Sequence, residues 1–451
     1  MKNVQQLRDL GLFDARVPRY TSYPTAARFT DAVGSAQTAE WLRAMPAGTD
    51  ISLYVHVPFC RRLCWFCACR TQGTSTLAPL LPYLATIKQE IGLIAEELPP
   101  GTRLARLHWG GGTPTLLSRE LIAELAGAIF ERLPLAPGAE FSVEIDPTEL
   151  DEERMDALAA VGLTRASVGI QDFDPAIQAL IGRSQSYAET RAAVEGLRDR
   201  GVLSLNADML YGLPDQTPQQ IAESMQQLLS LTPDRVALFG YAHVPWMARR
   251  QAMIRTESLP GPEARLDLFE TARELLAWDG YREIGIDHFA RPTDGLARAA
   301  ATGELRRNFQ GYTDDPSEVL IGIGASAISR FPQGYAQNAA ATAPYQAAVR
   351  GGRLATARGH AFAGEDLLRS DVIEALMCEF AVDLEAVARR HDADPGLLEP
   401  MAASALATFA DVLERDGPVL RITRVGRPLA RIIARSFDAY AMDPAGHSAA
   451  I

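Results

Sequence analysis

Residues 56–69 read HVPFCRRLCWFCAC and directly follow a β-rich run, so they begin where a strand is expected to end. Four of the five cysteines in this 451-residue chain lie in this stretch, namely Cys60, Cys64, Cys67 and Cys69. Disulfides among them would close very small loops, which add little stability. Thiolates this close together are better suited to binding a soft metal centre. The stretch therefore predicts a metal site at the end of a strand.

The spacing C-x3-C-x2-C favours an iron–sulfur cubane. Three thiolates at this spacing can bind three irons and leave the fourth iron with an open coordination position. A structural zinc site normally uses four ligands, often as two separated C-x2-C pairs, and the sequence has no second pair. A redox C-x-x-C pair would leave Cys60 unexplained. Zinc and redox chemistry stay as the alternatives, and Phe66, just before the third cysteine, strengthens the cluster interpretation.

The chain beyond this stretch alternates β-rich runs with amphipathic helical patterns. Such alternation with short connections predicts an α/β protein whose parallel sheet is covered by helices. Six units are too few for a closed eight-fold barrel, so we expect an open, partial (β/α)6 parallel barrel. The predicted strands are 53–56, 104–109, 141–145, 166–170, 204–210 and 236–241. The predicted helices are 79–98, 119–133, 152–161, 188–200, 218–231 and 262–278.

Three domains are expected along the chain. Residues 1–36 lack sustained periodicity and include PRYTSYPT, which predicts an extended amino-terminal arm rather than a packed element. Residues 37–361 form the predicted catalytic domain. Residues 362–451 combine helical runs with one short β-like run, which predicts a mostly helical, winged-helix-like carboxy-terminal domain.

Composition narrows the classes of function. A net charge of -12 argues against broad binding of nucleic acids. No run approaches about 20 apolar residues, so no membrane span is expected, and the first residues lack the apolar region of a signal peptide. Few, clustered cysteines favour the cytoplasm. Arg424, Arg427, Arg431 and Arg435 lie at helical spacing; we interpret them as a solvated helix face rather than a nucleic-acid site.

Polar residues recur at the ends of the predicted strands. Glu144, Gln171 and Asp208 each end or follow a strand, and the carboxyl ends of parallel strands meet at one edge. Their recurrence favours one shared polar ligand, with solvated loop residues as the alternative. Residues 110–112 are three glycines directly after another strand. They form either a tight turn or a backbone that approaches a ligand closely.

The cysteine spacing with its preceding aromatic residue resembles the radical S-adenosylmethionine superfamily. Further motifs between about residues 16 and 440 resemble the oxygen-independent coproporphyrinogen III oxidase family. The resemblance implies a [4Fe–4S] cluster on Cys60, Cys64 and Cys67, with Cys69 not a ligand. The motifs are PRYTSYPTA, HVPFCRRLCWFCAC, LHWGGGTPT, VEIDP, VGIQDF, LIGR, DMLYGLPDQTP, YAHVP, DHFARP, NFQGYT and GASAIS.

The resemblance also implies an activity. Members are oxidoreductases of anaerobic haem biosynthesis that convert the propionates on rings A and B of coproporphyrinogen III to vinyl groups, giving protoporphyrinogen IX. A 5'-deoxyadenosyl radical made at the cluster abstracts hydrogen, and the family is thought able to hold a second S-adenosylmethionine. Arg183 would bind the methionine carboxylate, and Gln171 and Asp208 the ribose. The implied contacts of S-adenosylmethionine are Tyr54, Phe66, Gly111, Gly112, Thr113, Glu144, Gln171, Arg183, Asp208, Ala242 and Ile328.

Substrate contacts and partners are less determined by the motifs. Four carboxylates on the substrate call for local cationic or donor groups, and the candidates are Arg19, Tyr20, His288 and Arg291. Because all but two of the 44 basic residues are arginine, each arginine alone is weak evidence. We expect a monomer that takes electrons from a donor such as a flavodoxin or ferredoxin. The alternative function is a haem chaperone of the same superfamily, which typically lacks the fourth cysteine and the PRYTSYPT arm.

Overall fold

The structure, a computed structural model, describes residues 2–441 and is dominated by one twelve-stranded sheet. The strands are β1 (Asp50–Val57), β2 (Arg103–Gly111), β3 (Leu135–Ile145), β4 (Arg165–Gln171), β5 (Ser204–Tyr211), β6 (Arg235–Gly240), β7 (Arg282–Ile284), β8 (His288–Ala290), β9 (Leu320–Ile323), β10 (Ile328–Phe331), β11 (Gly334–Asn338) and β12 (Thr356–Ala361). Their order is β12-β11-β10-β9-β1-β2-β3-β4-β5-β6-β8-β7.

Six neighbouring strands, β1 to β6, run parallel in chain order, which confirms the predicted partial barrel. β9 adds a further parallel strand beside β1, and the remaining strands extend both edges antiparallel. The prediction missed these additions because they are only three to six residues long. Ile51, Leu53, Val55 and Val57 alternate along β1, so they share one face of the strand, and all four are buried. Ser52 and His56 of the opposite face are buried as well.

Helices cover the outside of the barrel, and each predicted helix of the barrel is present within a few residues. Two of them begin with a complete capping box, Ser186 with Glu189 and Thr217 with Gln220. Such caps stabilise a helix start by about 1 kcal/mol. The helices are α1 (Lys2–Asp9), α2 (Ser35–Arg43), α3 (Leu80–Glu97), α4 (Arg119–Phe130), α5 (Glu152–Ala160), α6 (Pro175–Leu180), α7 (Tyr187–Asp199), α8 (Pro218–Ser230), α9 (Pro262–Trp278), α10 (Gly295–Thr302), α11 (Thr342–Arg350), α12 (Asp366–Cys378), α13 (Leu384–Arg390), α14 (Glu399–Thr408) and α15 (Ala430–Ala434).

The carboxy-terminal region contains α12 to α15 and a small antiparallel sheet. Its strands are β13 (Ala381–Asp383), β14 (Leu413–Asp416) and β15 (Val419–Ile422), in the order β13-β15-β14. Helices with a small sheet agree with the predicted architecture of this region. The division into 1–36, 37–361 and 362–451 stays a prediction, and residues 442–451 lie outside the described part of the chain.

The amino-terminal region is packed, so the expectation of an extended arm without packed elements was wrong. It begins with α1, and Leu7, Leu12 and Phe13 share an apolar core with the carboxy-terminal region.

The expectation that the arginines at 424–435 form a solvated helix face was wrong as well. Arg431 is buried and donates hydrogen bonds to the carbonyls of Val17 and Pro18. Both regions are buried by contacts with residues far away in sequence. Among the described residues, no helix is long and apolar enough to cross a bilayer.

Candidate active site

The cysteine loop leaves the sheet at the carboxyl end of β1. A two-residue strand, Phe59–Cys60, pairs with Gln72–Gly73 and closes the loop into a compact unit. Burial raises the pKa of Cys60 to about 11, and charge on Cys67 and Cys64 adds to this rise. The three thiols predicted as ligands are therefore close enough to interact with one another.

Neighbouring donors face two of these thiols. Arg183 donates from Nη1 to Sγ of Cys64 at 3.6 Å, while the backbone N–H of Cys69 donates to Sγ of Cys67 at 3.4 Å. Hydrogen bonds from Cys69 outweigh burial and lower the pKa of Cys67 to about 7. Such donors stabilise thiolates, the form that binds metals.

The three thiols can each supply a ligand to a different metal atom of one polynuclear cluster. A zinc ion needs its ligands to converge on one point, whereas the thiolates of a cubane each bind a different iron. Cys60, Cys64 and Cys67 therefore suit a [4Fe–4S] cluster.

The glycine run packs directly against the start of this loop. Gly111 has φ +106°, and a Cβ there would lie 2.3 Å from the His56 ring. A Cβ on Gly112 would lie 2.5 Å from the carbonyl oxygen of Phe59. The amide of Thr113 donates to that same carbonyl at 2.7 Å. Only glycine allows this approach, which fixes β2 against the cysteine loop.

Glu144, at the end of β3, is the carboxylate nearest this glycine run. Its Oε2 accepts the Gly111 N–H at 2.9 Å, and its Oε1 lies 3.4 Å from Nε2 of His108. Burial would raise the pKa of Glu144, but His108 and the Gly111 amide lower it below its ordinary value. Tyr54 stacks on His108 at 5.7 Å and shares a hydrogen bond with His56. These side chains form one polar surface beside the cysteines.

Asp208 lies at the same edge of the sheet. It is held by Asn206 at 2.8 Å and Ser167 at 3.2 Å. Burial and then the charge of Glu144 raise the pKa of Asp208 to about 6. Gln171 sits on the neighbouring strand at a β-bulge with φ +73°. The structure thus brings the predicted polar residues of β3, β4 and β5 to one edge.

Arg183 reaches the site through a close contact with the cysteine loop. The backbone N–H of Trp65 donates to the carbonyl of Ile181 at 2.8 Å. A Cβ on Gly182 would lie 2.7 Å from the Trp65 ring. Because Gly182 packs this closely, Arg183, the residue after it, lies beside the cysteine loop. Arg183 then donates to the carbonyl of Gly169 at 2.6 Å.

Gln251, which no sequence motif indicates, joins two parts of the site. This side chain is only 1% exposed. Its Nε2 donates to the carbonyl of Phe66 at 2.7 Å and to that of Ala242 at 3.1 Å, while its Oε1 accepts the Val244 N–H at 2.6 Å. A glutamine in a short 3-10 helix (Arg249–Met253) carries no sequence signal for this role. Ile328 begins β10, and its backbone lies against Gly322, the partner of Tyr54 in the neighbouring strand.

Comparison with known proteins identifies the family. Residues 54–228 match the model of the radical SAM superfamily. The oxygen-independent coproporphyrinogen III oxidase of Paracoccus denitrificans is 62% identical over 451 residues, covering 100% of both chains. The chain belongs to the oxygen-independent coproporphyrinogen III oxidase family. The Escherichia coli member is 38% identical over 450 residues, covering 97% of both chains.

A solved structure of this oxidase family agrees with the fold. The coproporphyrinogen III oxidase of Escherichia coli, described as a radical SAM enzyme, superposes with a TM-score of 0.89 at 37% identity. The match covers 95% of this chain and 100% of the other. The resemblance noted from the motifs is therefore confirmed at the level of family and fold.

The four predicted substrate contacts of this family member lie in different places. Arg19 lines a large cavity beside the end of β6. Tyr20 is buried and donates to Asp438 at 3.0 Å. His288 is buried too and hydrogen-bonds Asp287 at 2.7 Å.

Arg291 lies at the opposite edge of the sheet. Its N–H donates to the carbonyl of Asp234, just before β6 begins. Its guanidinium stacks on Tyr281 and pairs with Asp279 at 2.9 Å. The structure therefore does not bring Arg291 together with the cysteines, and we leave it out of the proposed site.

Proposed function

We propose that the protein catalyses the oxidative decarboxylation of the ring A and ring B propionates of coproporphyrinogen III to vinyl groups, in anaerobic porphyrin biosynthesis. The observation that carries this proposal is full-length similarity to a relative of that activity. The cysteine loop and the polar edge beside it support the proposal, because together they suit a cluster and a polar cofactor.

Cys60, Cys64 and Cys67 would hold the [4Fe–4S] cluster. When bound, the cluster and S-adenosylmethionine supply a radical that abstracts hydrogen from the substrate. Arg183, adjacent to Cys64, offers a guanidinium suited to a carboxylate. Its position supports the expected role toward the methionine carboxylate.

Glu144 and Asp208 would bind the other polar groups of the cofactor. Glu144 is anionic because its pKa is lowered, so it suits an ammonium group beside the glycine backbone. Asp208 and Gln171 offer hydrogen-bonding groups for ribose hydroxyls at the neighbouring strand ends. We propose the remaining predicted residues, Tyr54 and Phe66 among them, as further contacts of S-adenosylmethionine.

A one-electron donor must reach the cluster from outside. Arg61 and Arg62 are exposed on the cysteine loop, which suits an acidic protein such as a flavodoxin or ferredoxin. We propose such a donor, together with a monomeric state and a cytoplasmic location.

Anaerobic reconstitution tests this function directly. The reconstituted protein is incubated with reductant, S-adenosylmethionine and coproporphyrinogen III, and the products are separated by chromatography. A divinyl product with release of two CO2 per substrate supports the oxidase. Haem binding without turnover would contradict it and favour the chaperone.

Two cysteine variants test the proposed ligands. Cys64→Ser should abolish the iron chromophore and the cleavage of S-adenosylmethionine. Cys69→Ser keeps the backbone N–H that donates to Cys67, so the chromophore should persist. Loss of iron in Cys69→Ser, measured against the reconstituted wild type, would contradict the assignment of ligands.

A further inference from the structure

Arg183, the expected partner of the methionine carboxylate, is held by a buried glutamine. Oε1 of Gln185 accepts from Nε of Arg183 at 2.9 Å and from Nη2 at 2.5 Å. Nη2 also donates to the carbonyl of Gly169 at 2.6 Å. These contacts engage Nε and Nη2, so Nη1 is the nitrogen that faces the cysteine loop, 3.6 Å from Sγ of Cys64.

The acceptor on Gln185 is neutral, although the Arg183 side chain is only 8% exposed. A carboxylate at this position would neutralise the guanidinium, whereas an amide oxygen orients it and leaves its positive charge to a ligand. The carboxylate of Asp146 lies 3.6 Å from Nη2, and it also accepts from the amide and the hydroxyl of Thr148, at 3.1 and 2.8 Å. Its charge is therefore shared between Arg183 and Thr148.

Thr190 fixes the direction in which the Gln185 amide points. The Thr190 hydroxyl donates to the carbonyl of Ser186 at 3.0 Å, so toward Gln185 it can only accept. Nε2 of Gln185 donates to this hydroxyl at 2.8 Å, which leaves Oε1 on the side of Arg183. Both Thr190 and Gln185 are buried, so solvent has little access to these groups.

Gln178, on α6, holds the backbone of Gln185. Its Oε1 accepts the Gln185 N–H at 2.9 Å, and its Nε2 donates to the Gln185 carbonyl at 2.7 Å. The same Nε2 donates to the carbonyl of Asp172, the residue after Gln171, at 2.7 Å. The backbone and the side chain of Gln185 are thus both fixed to the end of β4.

Gln171 and Arg183 meet over Gly169 of β4. A Cβ on Gly169 would lie 3.2 Å from Nε2 of Gln171 and 3.6 Å from Nη2 of Arg183. The two side chains expected to bind opposite ends of S-adenosylmethionine therefore lie side by side. Polar groups that satisfy one another in a buried network hold a single arrangement, so the guanidinium can meet a ligand without first being reordered.

We propose that Gln185 is a positioning residue for S-adenosylmethionine, which directs Nη1 of Arg183 toward the cysteine loop and leaves the charge of Arg183 to the methionine carboxylate. This inference rests on the proposed function, in which Arg183 binds that carboxylate. Gln185 thereby affects the affinity for one group of the ligand, through the orientation and the charge of its neighbour.

S-adenosylmethionine and its decarboxylated analogue, which keeps the amino group and the sulfonium, test this role. Equilibrium dialysis against the reconstituted, unreduced protein gives Kd for each ligand without turnover. Gln185→Leu removes the acceptor, and Gln185→Glu replaces it by an anion of the same size. The same two substitutions at Gln226, exposed on α8, are the controls. Iron content and thermal unfolding show that each variant retains its cluster and its fold.

In both Gln185 variants, Kd for S-adenosylmethionine should rise about tenfold, whereas Kd for the analogue should stay within about twofold of the controls. A purely structural role would weaken both ligands alike. That result, or an unchanged preference for S-adenosylmethionine in both variants, would overturn the inference. A wild type that binds both ligands equally would overturn the role proposed for Arg183 instead. Absence of a divinyl product would overturn the proposed function, since the dialysis needs no turnover.

Discussion

Replacing Gln251 by leucine should release the cysteine loop from the loop that follows β6. Leucine has a similar volume but makes none of the three hydrogen bonds of this side chain. The carbonyls of Phe66 and Ala242 and the N–H of Val244 would lose their partner.

The size of the effect follows from these contacts. Each hydrogen bond is worth about 1 kcal/mol at such a buried position, so the docked loop loses about 3 kcal/mol. This corresponds to a roughly hundredfold larger population of the undocked loop. Iron should therefore leave the reconstituted variant much faster than the wild type.

The rate of iron release to a chelator under anaerobic conditions measures this effect. Gln219→Leu is the matched control, since Gln219 is exposed on α8 and donates to Glu223 of the same helix. Equal release rates for Gln251→Leu and this control would refute the view that Gln251 anchors the cysteine loop.

Two further predictions concern the carboxyl groups of Glu144 and Glu90. Glu144→Gln removes the anion beside the Gly111 amide, so KM for S-adenosylmethionine should rise about tenfold at unchanged iron content; an unchanged KM would exclude this contact. Burial raises the pKa of Glu90 from 4.5 to about 7. The unfolded chain therefore loses this proton first as pH rises, and stability falls between about pH 4.5 and 7. In urea unfolding, the stability difference between Glu90→Gln and the wild type should change by about 3 kcal/mol across that window. A constant difference would contradict the raised pKa.

The barrel could be predicted from sequence because its signals are local. Strands such as β1 alternate apolar and polar residues with a period of two, and capped helices such as α7 begin with a recognisable pair of capping residues. The polar edge could be predicted too, because parallel strands present their carboxyl ends together. The role of Gln251 and the burial of Arg431 could not be predicted. Each depends on contacts with residues distant in sequence, which no local pattern encodes.

The hydrogen bonds from Arg431 to the carbonyls of Val17 and Pro18 have a consequence for the order of folding during synthesis. During synthesis Val17 emerges 414 residues before Arg431, its binding partner. The barrel strands from β1 to β9 are complete by residue 323, about a hundred residues earlier. The cavity that Arg431 lines therefore cannot be complete until this residue has emerged, well after the barrel strands.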